Sequence, residues 1–254
     1  MKSILEQFSL KGKAALVTGA SRGIGQSIAV GLAEAGANVA LVARSDLSDT
    51  AKAVEATGQK ALCLNVDLGD KAVIPGLIAE TVEVFGSIDI LVNNAGIIRR
   101  APFLEFTEAD WDAVMDLNLK HLFLLSQEAA RAMVGQGGGK IINIASMLSY
   151  QGGILVPSYT ASKSAVMGLT RLMCNELAGK NINVNAIAPG YIATENTKAI
   201  REDAARNKSI LDRIPAGRWG EPDDFKGIAV YLASAASAYM NGYTVAIDGG
   251  WLAR

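Results

Sequence analysis

The chain has almost none of the residues that hold metal ions or cross-link a small secreted scaffold. It carries two cysteines, Cys63 and Cys174, and one histidine, His121. Both cysteines have apolar neighbours, and the three residues make neither a zinc-ligand spacing nor a disulfide framework. They read as two buried thiols and a histidine on a helix face, with no metal site. An excess of one charge is also missing. The net charge is −1 and no basic run exceeds two residues, which argues against a nucleic-acid partner. No uninterrupted apolar run approaches the ~18 residues that a membrane span requires. The opening MKSILEQFSLKGK contains Glu6 and no apolar stretch long enough for a secretion signal. A cytoplasmic protein with no membrane partner is the expectation.

What is present is apolar bulk and glycine. Half of the 254 residues are hydrophobic and 26 are glycine, scattered without a period. This suits packed elements joined by tight turns. Apolar strand-like runs appear at Lys13 to Thr18, Asn38 to Ala43, Lys60 to Leu68, Ile88 to Val92, Lys140 to Ile144, Ile182 to Ala188 and Tyr243 to Ile247. Helical patterns separate them, including Leu47 to Ala56, Ala72 to Phe85, Glu108 to Met133 and Asp223 to Ser234. In the third of these, Trp111, Val114, Leu122, Phe123 and Leu125 are expected to supply core. With no linker, repeat or composition break, the pattern predicts one α/β domain over residues 1–254. Its architecture is a Rossmann-type, doubly wound parallel sheet of seven strands with helices on both faces.

The turns carry the chemistry. Gly19-Ala20-Ser21-Arg22-Gly23-Ile24-Gly25 lies between the first strand and a helix, where a backbone free of side chains can approach a pyrophosphate at the helix N-terminus. Where the second strand ends, Ala43 offers no carboxylate to a ribose, while Arg44 with Arg22 can clamp a 2′-phosphate. Arg44 can also stack on an adenine or face solvent. Asp67 can accept from an adenine or cap the next helix. Asn93-Asn94-Ala95-Gly96 closes the fourth strand, as a turn or as a buried amide pair bordering the cofactor. Arg99-Arg100 follows, where a substrate carboxylate or simply solvent can meet it.

Asn118 sits among apolar residues in the middle of a helix, so its amide needs partners if buried. Tyr159 and Lys163 are four residues apart and share a helical face. An ammonium there would favour the phenolate and lower a pKa that starts near ~10, giving an acid/base usable near neutrality. Pro189-Gly190 and the small residues up to Thr194 can lie along a nicotinamide. Residues 191–214 have the composition of a substrate lid or of a solvated surface helix.

Taken in order, TGASRGIG, NNAG, Asn118, Ser146, YxxxK and Pro189-Gly190 resemble the short-chain dehydrogenase/reductase family over essentially the full chain. The resemblance implies hydride transfer between a nicotinamide and a carbonyl, with no metal. It makes Tyr159 the general acid/base, Ser146 the partner of the reacting oxygen, Lys163 the ribose ligand that lowers the tyrosine pKa, and Asn118 part of a proton relay. Its cofactor set here is Gly19, Ser21, Arg22, Gly23, Ile24, Gly25, Arg44, Asp67, Leu68, Asn94, Ala95, Gly96, Tyr159, Lys163, Pro189, Gly190, Ile192 and Thr194.

Longer segments, from GIIRRAPFLEFTEADWDAVMDLNLK to MNGYTVAIDGGWLAR, are similar to members that act on keto-deoxy sugar acids. An anionic sugar acid is therefore the expected substrate, contacted by Arg99, Ser146, Met147, Gln151, Tyr159 and Arg218. That similarity implies NAD(H), whereas Arg22 and Arg44 point to NADP(H). The family also implies a homotetramer, with Trp251-Leu252 at a subunit interface and Arg254 reaching a neighbour. Rival readings are gluconate-type dehydrogenases, carrier-protein reductases and a non-enzymatic nucleotide sensor. The reductase should show a basic docking surface, and the sensor should have lost Tyr159 or Lys163.

Overall fold

Apolar runs without period-two alternation become strands buried on both faces. In the computed structural model, which describes residues 3–254, these are β1 Ala14–Thr18, β2 Asn38–Ala43, β3 Ala61–Asn65, β4 Ile90–Asn93, β5 Gly139–Ile144, β6 Ile182–Pro189 and β7 Thr244–Ile247. They form one seven-stranded sheet in the order β3-β2-β1-β4-β5-β6-β7, with every pairing parallel. The helices are α1 Ile4–Gln7, α2 Gly23–Glu34, α3 Ser48–Glu55, α4 Ile74–Phe85, α5 Glu108–Met115, α6 Leu122–Gly135, α7 Pro157–Leu177, α8 Lys198–Glu202, α9 Ala204–Leu211 and α10 Lys226–Ala233.

Alternate residues of each strand face opposite layers. Ala15 and Val17 pack with Ile28, Leu32 and Phe225 beneath α2 and α10, while Leu16 packs with Leu77, Leu125 and Met173 beneath α4, α6 and α7. The expected doubly wound sheet is therefore present. The chain walks outward from β1 to β3, then returns to lay β4 on the other side of β1. That reversal opens a crevice at the C-terminal ends of β1 and β4, where ligands bind in open α/β sheets.

Part of the core is polar and fully paired. Asn93 donates to Asn143 Oδ1 at 2.9 Å and to Ser126 Oγ at 2.8 Å. Asn143 donates in turn to Thr170 Oγ1 at 3.0 Å. One network thus ties β4 and β5 to α6 and α7, and its hydrogen bonds offset the cost of burying the amides.

Some sequence expectations fail for positional reasons. Cys63 is exposed and Cys174 only half-buried, the former because β3 is an edge strand with one uncovered face. Trp111 and Phe123 are also exposed, on the face of α5 and α6 turned away from the sheet. Trp251 is covered by its own chain, whereas Arg254 is exposed. Trp251 is buried against Met147, Ile210 and Ile214 of its own chain, and Arg254 donates to Asp212 O at 3.2 Å.

Lys140, at the start of β5, donates to Asn183 Oδ1 at 2.8 Å, and burial pulls its ammonium down to about 8. An unfolded lysine titrates near ~10.4, so between those values the unfolded chain holds more protons than the folded one, and stability rises with pH. Lys140→Gln should therefore melt above the parent at pH near ~7 and lose that advantage by pH ~10.5. A melting difference independent of pH would contradict this.

Candidate active site

The crevice between β1 and β4 is a cleft of about 650 Å³. Its floor is built by close backbone approach. Gly19 has φ +65°, and a side chain on Gly25 would place its Cβ 2.2 Å from Gly19 O and 2.4 Å from Asn94 Nδ2. No residue larger than glycine fits at position 25, so α2 begins directly against the turn that leaves β1. Thr18 Oγ1 accepts from the backbone amides of Asn94 at 2.9 Å and Ala95 at 3.0 Å. Asn94 Nδ2 donates to Thr18 O at 2.9 Å and Gly19 O at 3.2 Å. This bare, cross-braced floor at the start of a helix fits a dinucleotide's pyrophosphate.

The cleft brings together Gly19, Ser21, Arg22, Gly23, Ile24, Gly25, Arg44, Asp67, Leu68, Asn94, Ala95, Gly96 and Thr194 of the expected set. Arg22 and Arg44 stand at the rim beyond β2. Asp67 neither caps a helix nor stands free: it accepts from Gly69 N at 2.8 Å and meets Arg44 Nη1 at 3.4 Å, and the cap is Asp70. Pro189, Gly190 and Ile192 lie behind the wall. Gly190 packs against Asp248, whose Cα would be 2.6 Å from an added Cβ, and Ile192 is buried. The sequence reading missed Asn196 and Arg201, which also line the cleft. The guanidinium of Arg201 donates to Thr194 O at 3.1 Å. Nothing in its spacing separates it from a surface arginine.

Tyr159 and Lys163 rise from the first turns of α7, set there by Pro157 at the helix start. Ser146 leaves β5 in extended conformation and caps a short 3-10 turn, accepting from Leu148 N at 3.1 Å. Its hydroxyl lies against the Tyr159 phenol. Lys163 is buried, donates to Ile144 O at 2.6 Å and sits 5.6 Å from the Tyr159 ring centre.

Burial pushes the Tyr159 phenol up, while a hydrogen bond with Ser146 and the Arg100 charge pull it the other way. Burial also pulls the Lys163 ammonium down to about 8, since its positive charge is itself desolvated and turned to a strand carbonyl.

Asn118 is fully buried in a π-helical turn, Asp116–His121, that joins α5 to α6. Such turns recur at functional sites. Its Oδ1 accepts from Ile97 N at 2.8 Å and its Nδ2 donates to Ile97 O at 2.9 Å. Each end of the amide makes one bond to Ile97, which holds the loop after β4 in place. His121 completes the same turn, its Nδ1 2.7 Å from Leu68 O.

The tentative substrate contacts separate. Arg99 pairs with Asp110 at 3.2 Å. Arg218 is forked on Asp224 at 2.8 and 2.9 Å. Gln151 accepts from Arg213 at 3.3 Å, while Met147 is buried in the cluster around Trp251. Residues 195–211 form a 3-10 turn, α8 and α9 over this cluster, with Ile200 and Ile210 packed inward.

Among the described residues no group of three or more His, Cys, Asp or Glu converges, and no helix is long and apolar enough to cross a membrane.

Comparison with known proteins places the chain in context. The short chain dehydrogenase family profile matches residues 13–205. A 2-dehydro-3-deoxy-D-gluconate 5-dehydrogenase of Dickeya dadantii is 60% identical over 99% of this chain and 100% of its own. A solved structure of a candidate 2-deoxy-D-gluconate 3-dehydrogenase from Agrobacterium tumefaciens, with bound NADP, is 55% identical, with TM-score 0.92 over 98% of this chain and 99% of its own. A gluconate 5-dehydrogenase from Burkholderia cenocepacia, in complex with NADP and tartrate, is 42% identical, with TM-score 0.94 over 99% and 100%.

Proposed function

The chain belongs to the short-chain dehydrogenase family, and from that premise we propose that it is an NAD(P)-dependent 2-dehydro-3-deoxy-D-gluconate 5-dehydrogenase. It interconverts a keto-deoxy sugar acid with its diketo form during uronate breakdown. The observation that carries this reading is the grouping of Ser146, Tyr159 and Lys163 where β5, the neighbour of β4, ends, in a chain 60% identical to an enzyme of that name.

A bound nicotinamide supplies or accepts the hydride. The rest falls to the chain's own residues. Tyr159 holds its proton at neutral pH because burial disfavours the phenolate, and it donates that proton to the carbonyl oxygen during reduction. Ser146 hydrogen-bonds the same oxygen and takes up part of the charge that develops there. Lys163, close to the tyrosine ring, binds the ribose hydroxyls. Gly19, Gly23 and Gly25 bring bare backbone to the pyrophosphate, and Asn118 keeps Ile97 and the loop after β4 in place. Incubating the protein with 2-dehydro-3-deoxy-D-gluconate and oxidised cofactor should yield a second ketone at C5, identifiable by carbon NMR. Unchanged sugar acid would refute the assignment.

NADP(H) is the proposed nucleotide. Arg22 and Arg44 line the cleft rim where β2 ends, and no carboxylate follows Ala43 to hold a ribose 2′-hydroxyl. Losing a charge-assisted contact to a phosphate costs roughly tenfold or more in affinity. Arg44→Ala should accordingly raise KM for NADPH by at least that factor and leave KM for NADH nearly unchanged. Equal effects on the two nucleotides would contradict the role.

We also propose a cytoplasmic homotetramer. Phe103, Leu104, Trp111 and Phe123 are exposed around the loop after β4 and helices α5 and α6, and Tyr239 and Tyr243 are exposed before β7. Apolar surface of this kind marks subunit contacts. A monomer in sedimentation would contradict this.

A further inference from the structure

We propose that Arg201, carried by the short helix α8, is the cation that meets the cofactor pyrophosphate from the wall built by residues 193–201. The inference rests on the dinucleotide reading of the cleft, and adds a binding residue to it. Arg201 lines the cleft together with Ala193, Thr194 and Asn196.

Two contacts place its guanidinium beside the glycine turn. A Cβ added to Gly23, the first residue of α2, would lie 3.5 Å from Thr194 Cγ2. The wall therefore meets the floor where α2 begins, which is where a pyrophosphate binds. Arg201 Nη2 then donates to Thr194 O at 3.1 Å. The turn that holds Thr194 is itself braced. Its amide donates to Thr197 Oγ1 at 3.1 Å, and that hydroxyl donates to Ile192 O at 2.6 Å.

The guanidinium is left incompletely satisfied. Arg201 Nε is buried and has no hydrogen-bond partner among the described residues, an arrangement that costs stability until a ligand accepts from it. Among the described residues Arg201 also belongs to no ion pair, although Glu195 lines the same wall. The other two arginines of the cleft, Arg22 and Arg44, stand at the rim beyond β2, and Arg44 already meets Asp67.

Charge explains why a cation is needed here. The floor offers neutral backbone, and the start of α2 acts as roughly half a positive charge. Each phosphate of a pyrophosphate carries a full negative one. A guanidinium with donors to spare supplies the difference.

The test measures binding by calorimetry to the parent, Arg201→Gln and Arg201→Lys. The probes are NADPH, NADH and adenosine 2′-monophosphate, which has no pyrophosphate. Arg201→Gln should weaken NADPH and NADH by the same factor, roughly 10- to 100-fold, and leave the monophosphate unchanged. Arg201→Lys should recover part of the loss. Salt weakens an attraction between exposed charges, so NADH binding should respond less to added salt in Arg201→Gln than in the parent. With cofactor saturating, KM for the diketo acid should stay near the parental value.

A loss confined to NADPH would assign Arg201 to the 2′-phosphate and overturn the proposal. So would a loss shared by the monophosphate, or one with undiminished salt response, since both describe a disturbed wall and not a missing charge. Parental cofactor binding with a raised KM for the acid would move Arg201 to the substrate. A parent that binds neither NADPH nor NADH would overturn the dinucleotide reading together with this role, whereas parental affinity in Arg201→Gln would reject this role alone.

Discussion

Replacing Tyr159 with phenylalanine is expected to lower kcat by about a thousandfold or more, within the ~10²–10⁴-fold that a positioned acid/base contributes. Affinity for NADPH should stay near the parental value. The two halves of this expectation have separate causes. The phenol hydrogen-bonds with Ser146, and burial favours its protonated form. The floor that binds the nucleotide is braced by Thr18, Gly19 and Asn94, none of which touches the phenol oxygen. Stopped-flow reduction with the diketo acid and a fluorescence titration with NADPH would measure the two halves independently. Near-parental turnover in Tyr159→Phe would remove the tyrosine from its role.

The second large effect is expected at Gly25. A Cβ there would lie 2.2 Å from Gly19 O, a backbone atom that cannot rotate away. Gly25→Ala must therefore push the start of α2 off the β1 turn. Overpacking of this kind costs about 1–3 kcal/mol in stability, and the displaced floor should weaken NADPH binding by at least a hundredfold. Gly227 provides the contrast, since it is an exposed position of α10 with nothing within 4 Å of an added Cβ. Gly227→Ala should leave binding alone and raise stability by roughly 0.5–1 kcal/mol. Calorimetric melts with and without NADPH distinguish the two. A Gly25→Ala protein that melts and binds like the parent would show that the floor yields.

Much of this site was legible before any coordinate. The parallel doubly wound sheet follows from seven apolar runs separated by helices, because parallel strands need crossovers and helices supply them. The glycine turn, Asn94, Asn118, Ser146, Tyr159 and Lys163 stand out because each is a small or polar residue where propensity would place something else. What stayed hidden depends on long-range partners. Arg99 and Arg100 are adjacent and chemically identical in the sequence, and only the fold shows that Asp110 takes the first while the second donates to Asn196 O.

Arg218 was a reasonable candidate until Asp224 folded back onto it. Trp251 looked like interface because an apolar residue near the end of a chain has no visible cover, and its cover comes from α9 and Met147, far off in sequence. The surroundings of Lys163 were hidden for a related reason. Spacing of four residues gives proximity to Tyr159, but it does not reveal that the ammonium is buried and bonded to Ile144 O.

The central claim is that this cleft reduces an acidic sugar ketone. Its most direct measurement is kcat/KM for the 5-oxo derivative of 2-dehydro-3-deoxy-D-gluconate against a neutral sugar ketone, each with NADPH and with NADH. The account predicts rapid turnover of the acid, little of the neutral ketone, and preference for NADPH. Faster reduction of the neutral ketone than of the acid would contradict it.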